Sequence, residues 1–185
     1  MINKHLFLLV GLVLGMVTND LFAAPRRSSR KTGSGNSRWG AGARLYAARD
    51  EAPVRGIPVT SDEGAAVLAY EFHENNAFWQ LAVNYLPRID GTNGLDYAVT
   101  PEINLVYKQS AWQMGVGVYN HHVWDAEGEH DWAGTLWQIM LGLNIPLGRS
   151  LSLDLSTFYA TPKLDQLQDF DTKHLDYRIL ATFTF

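Results

Sequence analysis

The feature that most constrains this chain is the alternation of its last dozen residues. Leu175, Tyr177, Ile179, Ala181, Phe183 and Phe185 share one parity, while His174, Asp176, Arg178, Leu180, Thr182 and Thr184 share the other. Successive side chains of an extended strand point to opposite faces, so a period of two that sorts apolar from polar residues specifies a strand with one apolar face.

The same test predicts seven further strands, over residues 39–48, 65–73, 77–86, 97–108, 111–122, 134–146 and 151–160. Within residues 77–86, for example, Trp79, Leu81, Val83 and Tyr85 alternate with Gln80, Ala82 and Asn84. Residues 73–76, 108–110 and 146–150 read as tight turns, and 49–64, 87–96, 123–133 and 161–173 as long loops. The fold class expected is all-β, an eight-stranded antiparallel up-and-down barrel.

The two faces decide which side of such a barrel meets solvent. One face carries Trp39, Tyr70, Trp79, Tyr85, Tyr97, Tyr107, Trp112, Trp137, Tyr159 and Tyr177, mostly toward strand ends with Leu, Val and Ile between. That is the aromatic girdle and apolar band of a transmembrane barrel, and most segments approach the roughly 9–11 residues that a tilted spanning strand needs. The other face holds Arg44, Glu71, Glu102, Lys108, Asp154, Asp176 and Arg178 together with amides and glycines. Eight strands enclose a space about filled by their own side chains, so these residues are expected to form a polar plug. Reflecting adjacent strands about their loops pairs Arg44 with Glu71 and Asp154 with Arg178 inside it. Gly40, Gly42, Gly115, Gly117 and Gly142 fall on strands and are read as making room in a narrow barrel, not as a phosphate loop.

The start of the chain reads as an export signal over residues 1–23. Lys4 precedes an apolar core from residue 6 to 17, too short for a permanent membrane helix, and Ala23 offers a small residue for cleavage. Residues 24–38 contain Arg26, Arg27, Arg30, Lys31 and Arg38 and no large apolar side chain, which is the composition of a disordered basic linker. The Arg26-Arg27 pair follows the apolar core, so it is not a twin-arginine signal. The barrel is expected over residues 39–185. With no cysteine in 185 residues, disulfides, thiolate metal sites and an acylated-cysteine anchor are all excluded.

The ending Tyr177-x-Ile179-x-Ala181-x-Phe183-x-Phe185 resembles the C-terminal signal that hands bacterial outer-membrane proteins to their assembly machinery. Together with the signal segment and the strand count, residues 39–185 resemble the small barrels of the OmpA and OmpX type. The resemblance implies a monomer in the outer membrane of a Gram-negative bacterium, with both chain ends in the periplasm. It also implies lipopolysaccharide and the assembly machinery as partners, with nucleic acid excluded, and a structural or interaction role.

One stretch is dense enough in ligating groups to suggest chemistry: His121, His122, Asp125, Glu127, Glu129, His130 and Asp131. The carboxylates Asp125, Glu127, Glu129 and Asp131 are candidate metal ligands, either directly or by bridging Ca²⁺ or Mg²⁺ to lipopolysaccharide phosphates. No resident cofactor is otherwise expected. The alternative function is a lipid A-modifying acyl hydrolase or acyltransferase with His121, His122 or His174 at the outer rim. Its weaknesses are that no serine adjoins the histidine pair and that Ser61 and Asp62 reach the rim only by conjecture.

Overall fold

The computed structural model describes residues 37–47, 63–87, 95–161 and 172–184. The expected signal segment, nearly all of the expected basic linker, most of three expected long loops (with Ser61 and Asp62) and Phe185 lie outside the described residues.

Eight antiparallel strands close into a barrel in sequence order: β1 (Ser37–Tyr46), β2 (Glu63–Glu74), β3 (Ala77–Leu86), β4 (Leu95–Gln109), β5 (Trp112–Asp125), β6 (His130–Pro146), β7 (Leu151–Thr161) and β8 (Leu175–Thr184). The barrel closes where Trp39 of β1 lies opposite Phe183 of β8, so each strand has a partner on both sides. Closure leaves no open edge, the condition for a sheet to exist in a medium that cannot hydrogen-bond to it.

The short connections need unusual backbone. Asn75 (φ 55°) and Ser110 (φ 58°) sit in the left-handed region at the tight turns between β2 and β3 and between β4 and β5. This is the conformation two-residue hairpin turns demand.

The alternation read from sequence is the alternation of burial. Leu68, Trp79, Leu81, Val83, Leu141 and Ile179 on the outside are each 46–56% exposed. Arg44, Glu71, Gln80, Glu102, Asn104, Gln138, Asp154, Asp176 and Arg178 on the inside are buried. The arrangement is the reverse of a water-soluble protein.

Some expected strand bounds need correction. β1 starts at Ser37, two residues before the expected boundary. The connection expected over 123–133 is not a long loop, because β5 and β6 continue as a paired hairpin to Asp125 and His130. The alternation changes phase there. Between Asn120↔Thr135 and His122↔Trp132 the register shifts by one residue on β6. Gly134 (φ 79°) supplies the left-handed backbone such a bulge requires. Trp132 before the bulge and Trp137 after it, of opposite parity, are therefore both on the outside, 56% and 42% exposed.

Candidate functional site

The interior is built in layers along the barrel axis, each set by which parity of which strand faces inward. At the short-turn end, Asp154 of β7 accepts hydrogen bonds from Gln113 Nε2 (2.9 Å), Asn144 Nδ2 (2.7 Å) and Thr182 Oγ1 (2.8 Å). Lys108 Nζ donates to Asn144 Oδ1. Nearby, Glu71 accepts from Gln80 Nε2 at 2.9 Å and bonds His73 Nε2 at 2.9 Å.

The middle layer holds the charges. Glu102 of β4 receives Arg44 Nη1 on one oxygen at 2.7 Å and Arg178 Nη1 on the other. Arg44 also reaches Asp176 Oδ2 at 2.7 Å and Gln138 Oε1 at 3.1 Å, and Arg178 reaches Gln80 Oε1. Asn104 ties the amides together, accepting from Gln138 Nε2 at 2.7 Å and donating to Gln80 at 3.3 Å. Gly117 makes room for it, since a Cβ there would lie 2.0 Å from Asn104 Oδ1. Both guanidinium groups lie over the Phe158 ring, 4.4 Å from its centroid for Arg44 and 4.5 Å for Arg178. Such stacking suits a guanidinium that must be dehydrated.

The pairings expected from sequence are not those found. Arg44 lies opposite Ala65, while Glu71 lies opposite Arg38, so the two are separated by most of the strand. Asp154 does fall one position diagonal to Arg178, which lies opposite Ser156. Arg178 nevertheless turns across the lumen to Glu102. A long side chain in a narrow barrel reaches a strand on the far wall as easily as its neighbour. Reflection about a loop therefore misses its partner, and Glu102 and Asp176 were not singled out as pairing residues.

The interior also holds apolar side chains beside the polar ones. Toward the long-loop end Tyr46, Ala65, Leu86, Ala98 and Val123 form one buried apolar cluster, and Tyr119, Leu136 and Ala160 form another. A further apolar group, Phe78, Val106, Met140 and Phe158, lies among the polar layers.

The candidate catalytic histidines are separated by strand geometry. His121 points inward, is buried, bonds Thr100 Oγ1 at 2.6 Å and meets the Tyr46 and Tyr119 rings edge-on. His122, the next residue, points to the opposite side and is within 3.0 Å of His130. His174 lies in a short 3-10 turn, Thr172–His174, ahead of β8. The three do not form one constellation.

The candidate metal carboxylates are likewise dispersed along the hairpin tip. Asp125 Oδ1 accepts from the backbone N–H groups of Glu127 (3.0 Å) and Glu129 (2.8 Å), holding its own turn. Asp131 Oδ1 accepts from Trp132 N at 2.7 Å, and Glu127 and Glu129 are exposed. Among the described residues, no three His, Asp or Glu side chains converge. The described residues of the expected C-terminal assembly pattern, Tyr177, Ile179 and Phe183, all lie on the outer face of β8 and are exposed.

No family model matches the sequence, and no curated protein matches it. Solved structures similar in fold include the following two. Neisserial surface protein A is 12% identical with a TM-score of 0.45, covering 80% of this chain and 95% of its own. Ail, the attachment invasion locus protein of Yersinia pestis, in complex with the heparin analogue sucrose octasulfate, is 12% identical with a TM-score of 0.46, covering 82% of this chain and 98% of its own.

Proposed function

We propose that the chain is an integral outer-membrane barrel of a Gram-negative bacterium that acts as a structural or interaction module and not as a channel. One observation carries the membrane reading: large apolar side chains stand about half-exposed on seven of the eight strands, with those of β7 partly exposed, while the strand charges are inside. A continuous apolar belt of that extent is incompatible with a monomer in water, and lipid is the medium that would cover it on every strand. The closed-lumen reading rests on the middle layer, where Arg44, Glu102, Arg178 and Asp176 cross the bore, and on the apolar residues above it. The surface role falls to the β5–β6 hairpin, whose tip carries Asp125, Glu127 and Glu129.

The test is reconstitution of the mature chain into planar bilayers, combined with lipid A mass spectra of cells with and without the protein. The expected results are heat-modifiable, detergent-dependent protein, no steady ion current and unchanged acyl chains. A stable open-channel current would overturn the closed lumen, and an acyl-chain change would overturn the non-enzymatic role. Solubility without detergent would overturn the membrane assignment.

A further inference from the structure

At the short-turn end the bore opens into a cavity of about 460 Å³, a size within the range of small-molecule sites. Arg38 of β1, Lys108 of β4, Asn144 of β6 and Ser152 of β7 line it, joined by Ser110 and Arg149 from the β4–β5 and β6–β7 turns. Each of the four strand residues has the parity that is buried further along its strand. The cavity is therefore the mouth of the lumen and not a fold of the outer surface.

The mouth is unlike the chain as a whole. The sequence carries a net charge of −4, yet three cations and no carboxylate line this cavity. Arg38 and Lys108 are half-buried and Arg149 is exposed, and none of the three forms an ion pair with a described carboxylate. Lys108 Nζ donates to Asn144 Oδ1, which leaves two of its three N–H donors without an acceptor among the described residues. Two carboxylates lie nearby, and both are engaged. Glu71 is directly opposite Arg38 in the β1–β2 register, but its oxygens bond His73 and Gln80. Asp154 accepts from Gln113, Asn144 and Thr182. Cations gathered at a recessed polar mouth raise the local concentration of anions.

We propose that the short-turn mouth of the barrel is a binding site for a phosphate group, free or as a phosphomonoester. The donor set makes the choice. Two guanidinium groups, an ammonium and the Ser110 and Ser152 hydroxyls line one space. A phosphomonoester at neutral pH carries about −1.5 to −2 charges and three strong acceptor oxygens, so it can engage an arginine fork, the lysine and a hydroxyl together. A carboxylate, with two oxygens and a single charge, would satisfy fewer of these donors. The cavity also has room for the organic group to which such a phosphate is attached. The phosphate can come from solution or from a lipid headgroup at the rim. The second source rests on the membrane reading proposed above; the first does not.

The chain, folded in maltoside micelles that contain no phosphate, is titrated calorimetrically at low salt with sodium phosphate and with glycerol phosphate. Expected is one site per chain with a Kd below about 1 mM, weakened as sodium chloride is raised. Arg38→Gln and Lys108→Gln should each weaken binding by about tenfold, and Arg149→Gln by about threefold because its charge is exposed. The triple variant should abolish binding, and sodium acetate should not compete. Arg26→Gln combined with Arg27→Gln, in the basic stretch that precedes β1, should leave binding unchanged. Heat-modifiable migration establishes that each variant is folded. Repeating the titration in lipid nanodiscs separates the two sources: competition by added phosphatidic acid assigns the site to a headgroup, and undiminished affinity assigns it to a soluble phosphate. Undiminished binding in the folded triple variant, loss of binding in the Arg26 and Arg27 variant, or equal competition by acetate would overturn the proposal. So would the absence of saturable binding below about 1 mM in the unaltered chain.

Discussion

In the middle of the barrel, Glu102 holds two arginines with solvent shut out; at the tip of the β5–β6 hairpin, Asp125 holds two backbone amides in a turn open to water. Both are carboxylates with two hydrogen-bonding partners, yet the consequences of removing them differ widely. A buried ion stripped of its partner cannot be rehydrated, so loss of one member of the network is felt by the others. An exposed carboxylate is exchanged for water at little cost. The difference teaches that charge density in a sequence is a poor guide to where charge matters; the face of the strand decides.

The comparison is broken most severely at Glu102. Glu102→Ala leaves Arg44 and Arg178 buried and facing each other across adjacent strands, where they lie directly opposite in the β1–β8 register. A loss of about 3–5 kcal/mol is expected in denaturant unfolding from micelles. A loss below about 1 kcal/mol would mean that water reaches the layer and the lumen is open.

Gly117→Ala probes the same layer without touching a charge. The added carbon must displace both the Asn104 side chain and the Ile103 carbonyl, whose oxygens would lie 2.0 and 2.5 Å away. About 1–3 kcal/mol of destabilisation is expected by the same unfolding assay. The smallest effect belongs to the tip. Asp125→Ala should speed hydrogen exchange at the Glu127 and Glu129 amides while changing global stability by less than about 1 kcal/mol. Glu127→Gln should change neither by more than about 0.5 kcal/mol.

The legibility of the fold follows the same division. Strand number and parity were readable because they depend on neighbours two residues apart; residues 77–86 and β3 coincide. The hairpin was not, because the bulge near Gly134 reverses the phase and makes Trp132 and Trp137 appear to face opposite ways. Glycine in a strand was the one available signal for such a break. The ionic partners were the least readable. Arg44 and Glu102 are 58 residues apart and meet only because the barrel closes, and that geometry has no trace in local pattern. The His122–His130 pair lay within the stretch singled out for ligand density, but its alignment depends on the hairpin register that the bulge concealed.

The central claim is that the apolar face meets lipid and the polar face lines the interior. Because the chain has no cysteine, single cysteines can be introduced one at a time and spin-labelled without background. Along β3, Leu81→Cys and Val83→Cys should be readily accessible to oxygen dissolved in the bilayer, while Gln80→Cys and Ala82→Cys should be shielded, giving a period of two. High access to a water-soluble nickel chelate at Leu81 and Val83, or no alternation at all, would contradict the account.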